Sequence, residues 1–251
     1  MIDFEILVTV TILFAACMTR STFGFGEALV AMPLLSMVVG VKDAAAMVAL
    51  TSIFNATTIL LTTKWENIEW SAAGYMLTGA LLGVPLGVYV LVSVPESAVK
   101  FVLAAVVISF AVYNLTRPTM AKLNSNVPGL GFGFISGVLG GAYNAFGPPM
   151  VIFGALRQWP AQRFRITLQA VFFPVSITVA GLHSANKLWT PLVVTSFLVA
   201  LPFLIVAAFV GREINQRIEG GRFSRYIAYL LLVIGAVLIG TIVRDALGSG
   251  T

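Results

Sequence analysis

Two charged residues stand close together in an otherwise apolar stretch: Arg20 and Glu27, within Met18–Pro33, which reads MTRSTFGFGEALVAMP. A guanidinium presents a planar fork of N–H donors that matches an oxyanion. The neighbouring carboxylate either neutralises that cation or takes up a coupling proton. Gly24 and Gly26, between them, permit close backbone approach and dihedrals closed to other residues. A second polar island, Gly140–Pro149, reads GGAYNAFGPP. Gly141 offers bare backbone there, Tyr143 and Asn144 offer neutral donors, and the prolines stop helix propagation. Asn55 and Gln169 lie on the long apolar segments after the two islands, and Arg165 is one helical turn before Gln169 on the same face. Cations, amides and backbone N–H groups in an apolar setting are the means of holding a small anion. For each group there is a structural alternative: a buried Arg20–Glu27 pair, interhelical bonding for Asn144, an interfacial anchor for Arg165.

Other chemistries lack their residues. Gly-Phe-Gly has neither the lysine nor the strand–helix setting of a phosphate-binding loop. His and Cys occur once each, as His183 and Cys17, so no metal spacing and no disulfide is expected. No Ser–His–Asp set has supporting context, so neither an enzyme nor a cofactor is expected. His183 is expected to cap a helix end, with a proton relay as the alternative. The aromatics, Phe172, Phe173, Trp65, Trp70 and Trp189 among them, are expected in packing and interface belts.

The elements that must position these groups belong to a membrane. Only 10% of the 251 residues are charged, 59% are hydrophobic, and the mean hydropathy is +0.97. Soluble domains carry about 25% charged residues. A soluble or disordered chain is therefore excluded. The net charge of +5 is expected in loops on the cytoplasmic side of the bilayer and not on a nucleic acid. The first apolar run, Phe4–Thr19, is flanked by Asp3 and Glu5 and lacks a basic leader, so it is expected to be retained.

A spanning helix needs about 20 apolar residues. Six segments qualify: Ala44–Thr63, Ala72–Val94, Ser97–Thr116, Phe164–His183, Pro191–Gly211 and Phe223–Val243. Phe4–Thr19 with Ala28–Gly40, and Gly129–Gly141 with Pro149–Leu156, are shorter pairs flanking the two polar islands. Each pair predicts a hairpin that enters the membrane and turns back, tolerated where the broken backbone is buried or lines a cavity. Glycines at four-residue spacing (Gly79, Gly83, Gly87) predict a packing face, as do Gly235 and Gly240.

Gly24 and Pro33 have the same spacing as Gly140 and Pro149, and Trp70 and Trp189 open the corresponding later helix. The chain thus reads as a duplication: residues 1–117, a cytoplasmic linker over 118–126, and 127–251. The fold class is all-α polytopic, with two inverted repeats, each a re-entrant hairpin plus three long helices, about eight to ten membrane helices in all. Arg157, Arg163 and Arg165, and Arg212, Arg217, Arg222 and Arg225, mark the most basic loops and place them inside. Arg117 and Lys122 of the linker then also face the cytoplasm, Lys42 and Lys187 face outward, and both termini are outside. Inverted repeats with interrupted helices are the pattern of a secondary transporter whose site lies near the midplane, worked by rocking of one half against the other.

The motifs Gly24-Phe25-Gly26-Glu27 with Pro33-Leu34-Leu35, Gly140–Pro149, and Phe164–Gln169 together resemble the TauE/SafE sulfite exporter family, over nearly the whole chain. That resemblance implies export of sulfite or a related organosulfonate-type or thiosulfate-like anion from the cytoplasm, across the inner membrane of a prokaryote. A coupling proton or sodium ion is the expected partner besides the lipid bilayer, with no nucleic acid. An anion channel using the same tips as a filter is the alternative. The family's first motif commonly runs on in glycine where this chain has Glu27, which singles that residue out. The expected substrate-binding set is Arg20, Gly24, Gly26, Glu27, Asn55, Gly141, Tyr143, Asn144, Arg165 and Gln169.

Overall fold

The computed structural model describes residues 4–62, 65–116 and 122–217, and short helical stretches between 231 and 240. Among the described residues all regular structure is helical. In chain order the helices are α1 (Phe4–Phe23), α2 (Glu27–Val38), α3 (Val41–Thr62), α4 (Trp70–Ser93), α5 (Glu96–Thr116), α6 (Gly129–Tyr143), α7 (Gly147–Leu156), α8 (Ala161–Ala185) and α9 (Pro191–Arg217). Six of them, α1, α3, α4, α5, α8 and α9, are long and apolar enough to cross a membrane. This is a multi-pass membrane protein.

Five of the six expected spans are there, with ends shifted by a few residues. The sixth, Phe223–Val243, lies largely outside the described residues, as do Arg117, Pro118, Arg222 and Arg225. α1 differs from expectation. It continues past Thr19 to Phe23 and reaches 20 residues, about 30 Å, the thickness of a hydrocarbon core. The polar stretch stays helical because its side chains find partners inside the fold. Thr19 and Thr22 donate back to the carbonyls of Ala15 and Met18, at 2.9 and 2.8 Å. The helix then stops where Gly24 (φ +84) and Gly26 (φ +96) adopt left-handed backbone. The second hairpin breaks at Asn144 (φ 54), also left-handed, and Pro148 and Pro149 sit in the first turn of α7.

The expected glycine seam is present. α4 lies against α6, and Gly79, Gly83 and Gly87 face Gly133, Gly137 and Gly141. A Cβ on any of these six would meet a main-chain carbonyl oxygen of the other helix. The two backbones therefore touch with no side chain between them. α1 packs on α9, and α3 packs on α8. A Cβ on Gly235 would meet Ile108 of α5, as a packing role predicts, whereas one on Gly240 would meet nothing within 4 Å.

Large apolar side chains on the outer surface, such as Leu82, Phe101, Leu198 and Phe203, are exposed, as a lipid-facing belt requires. Trp65, Trp70 and Trp189 are half-exposed or more at helix ends. The segment before α6 is held to the end of α7: Leu123 N–H donates to Leu156 O (2.8 Å) and Arg157 Nη1 to Leu123 O (2.7 Å). Arg163 at the start of α8 lies 3.5 Å from Glu69, at the end of the loop after α3.

Candidate functional site

Arg20 is at the last turn of α1 and Glu27 opens α2, so the glycine break folds one onto the other. Arg20 Nη1 lies 2.8 Å from Glu27 Oε2, both side chains being all but fully buried. α3 supplies two further donors to the same carboxylate. Ser52 Oγ donates to Glu27 Oε2 (3.1 Å) and Asn55 Nδ2 to Glu27 Oε1 (2.9 Å). Asn55 Oδ1 in turn accepts from Cys17 Sγ at 2.9 Å.

α8 completes the cluster from the other half of the chain. Gln169 Oε1 accepts from Arg20 Nη2 (3.1 Å), and Gln169 Nε2 donates to Gly24 O. The Arg20 guanidinium carbon stands 5.3 Å from the centre of the Phe172 ring, within cation–π range. Both terminal nitrogens of Arg20 are thus occupied, while its Nε is buried without a partner. A buried cation needs such compensation, because desolvating it alone is costly.

Beside this network is a cavity of about 20 Å³, the room of a single water molecule. Its wall brings together both hairpin tips: Arg20, Gly26 and Glu27 from the first, Asn144 and Phe146 from the second, with Phe172. Asn144 Nδ2 donates to Ala45 O (2.7 Å), and its Oδ1 is buried and unpartnered. The tips also meet where Phe25 packs on Gly147.

The fold brings Arg20, Gly24, Gly26, Glu27, Asn55, Asn144 and Gln169 to this one place. It puts the other three expected residues elsewhere. Gly141 belongs to the α4–α6 seam, its carbonyl 3.2 Å from His183 Nε2. Tyr143 is buried toward α5 and donates to Val99 O (2.9 Å). Arg165 donates to Ser21 O (2.6 Å) and Asn215 Oδ1 (2.5 Å), on the far side of Gly24. His183 is no helix cap: its ring is fully buried and reaches across to α6.

Sequence reasoning missed Ser52, Cys17 and Asn215 as partners and took Phe172 for packing alone. Ser52 and Asn55 share a face of α3, and two polar residues so placed in an apolar span were the available signal. Asn215 lies in the charged end of α9, where nothing distinguishes it.

The sequence model of the family described as "Sulfite exporter TauE/SafE" matches residues 9–238. A curated protein of Cupriavidus necator, described as "Probable sulfite/organosulfonate exporter TauE", is 29% identical over 231 residues, 88% of each chain. No solved structure matches.

Proposed function

The chain belongs to the sulfite exporter TauE/SafE family, and from that premise we propose that it is a secondary transporter exporting sulfite or a related small organic or inorganic sulfur anion across the cytoplasmic membrane. The observation that carries this reading is the buried Arg20 shared between Glu27 and Gln169 at the meeting of the two hairpin tips. An anion that enters must take Arg20 from Glu27. Glu27 can release it, because Ser52 and Asn55 continue to hold the carboxylate. The substrate then gains the guanidinium fork, the free Nε and the Gln169 amide. Gly24, Gly26 and Asn144 supply the backbone and amide surroundings.

Neighbour relations support the inverted duplication. α4 of the first half packs on α6, the opening helix of the second, and α9 packs on α1 in the reciprocal way. Arg157 meeting the linker, and Arg163 meeting Glu69, support one shared cytoplasmic side. A centre with room for about one water supports alternating access over a standing anion channel. An inside-negative potential itself favours outward movement of an anion, by about 2.3 kcal/mol per charge per 100 mV. Glu27 is the acceptor for any proton that moves with it.

The test is counterflow in proteoliposomes with sulfite, competed by methanesulfonate, thiosulfate and sulfate. Saturable exchange is expected, with an order among competitors that names the substrate class. Arg20→Gln should abolish it while the protein stays monodisperse. Ohmic current without saturation would replace the carrier by a channel, and unchanged flux in Arg20→Gln would remove this site from transport.

A further inference from the structure

A second, larger space lies between α1, α3, α8 and α9, with a volume of about 390 Å³. That is within the range of organic-ligand pockets and far beyond the central cavity. One side carries Arg165, Arg212, Asn215 and the Ser21 region, and the other is made of apolar groups including Phe54 and Phe209. Among the described residues no carboxylate lines it. Arg165 is held, among the described residues, by neutral oxygens alone, those of Asn215 and Ser21, and its Nε is buried without a partner. Among the described residues neither Arg165 nor Arg212 has an ion-pair partner. Two uncompensated cations beside an apolar wall form a complement to a molecule with an anionic head and an apolar body.

The Arg165 stem is also the partition between this space and the centre. A Cβ added to Gly24 would stand 2.7 Å from Arg165 Cγ, so the stem lies directly on the hairpin backbone. Gln169, one turn further along α8, already belongs to the Arg20 network.

We propose that this cavity is a second anion site, distinct from the one at Arg20, which binds organic oxyanions with a short apolar body. Arg165 and Arg212 take the head and the Phe54–Phe209 wall takes the body. Its place as an antechamber on the cytoplasmic side rests on the transport reading above; the binding itself does not. Discrimination by carbon chain is made here, where an apolar wall stands beside the two cations.

The experiment is calorimetric binding of methane-, propane- and butanesulfonate to the full-length detergent-purified protein, in parallel with sulfite counterflow. Affinity should rise with each methylene, by up to about fourfold. Arg212→Gln should weaken every member about tenfold, and Phe209→Ala should flatten the dependence on chain length. Both side chains are exposed, so neither change touches the core. Arg20→Gln should stop counterflow yet leave the chain-length series intact. A flat series in the wild-type protein, or one that neither Arg212→Gln nor Phe209→Ala alters, overturns the second site. If sulfite counterflow persists in that case, the transport reading stands alone; a rising series without counterflow sinks transport and keeps the site. Lipid is the other source of such a head group. Loss of butanesulfonate binding in phosphatidylglycerol nanodiscs but not in phosphatidylcholine, with phospholipid copurifying with wild type and not with Arg212→Gln, would make the occupant a lipid and overturn the proposal.

Discussion

Arg20 and Glu27 are seven residues apart, and on an unbroken helix they would sit two turns from each other. The glycine break lets them meet head-on, and the pair is then closed off from solvent on every side. Removing one partner leaves the other charged in the interior with neutral partners alone, so Arg20→Gln and Glu27→Gln should each cost about 3–5 kcal/mol. The double variant should lose much less than the sum, and a double-mutant cycle in thermal unfolding checks it. Function separates from stability: the double variant should refold well and transport nothing. Because carboxylate and substrate compete for one guanidinium, Glu27→Gln should exchange methanesulfonate with a lower KM than the wild-type protein. The guanidinium and the carboxylate were legible in the sequence, because ionisable residues in an apolar run are conspicuous. Their detailed partnership was not. Ser52, Phe172 and Gln169 are brought in from elements dozens of residues away, and nothing local to Arg20 or Glu27 encodes them.

At the scale of elements, the seam between α4 and α6 is held by the absence of side chains. Gly83→Leu would drive a side chain into the main chain at Phe134 and should cost about 3 kcal/mol or more. Gly181→Leu, on a glycine whose added Cβ meets nothing within 4 Å, is the control and should change little. Melting temperature and monodispersity of the two variants decide it. Gly24→Ala belongs with the first class for a different reason, combining left-handed backbone with the Arg165 stem, and should destabilise by at least about 1–2 kcal/mol. Helix positions came out of the sequence well, since apolar length is nearly all that a lipid-facing span must satisfy. The four-residue glycine rhythm of α4 also announced a packing face. Its partner could not be read, because Gly133, Gly137 and Gly141 have the same rhythm but nothing in either helix says which rhythm meets which. The end of α1 was misjudged since polarity alone suggested a stop, whereas threonine hydroxyls bonded to their own helix let it run on.

For the whole molecule, the assignment of sides can be tested without any substrate. In a Cys17→Ser background, Asn186→Cys should react with an impermeant maleimide added to intact cells. Asn124→Cys, in the linker, should react only after the membrane is opened. Both positions are exposed, so a reversed pattern would invert the topology. The sequence also suggested that residues 1–117 would rock against 127–251 as two blocks. The packing divides the chain differently. α4 is tied by bare backbone to α6, across the supposed boundary, and α1 is tied to α9 across it again. One apolar core joins α4 and α7 to α8; another joins α1, α2 and much of α3 to α5, α9 and the ends of α4 and α6. The packing therefore does not split at the linker. Each apolar core draws on residues from both sides of the linker, like two hands with interlaced fingers. A cut in the linker should leave the two polypeptides gripping each other, with the glycine seam and the α1–α9 contact holding across the break.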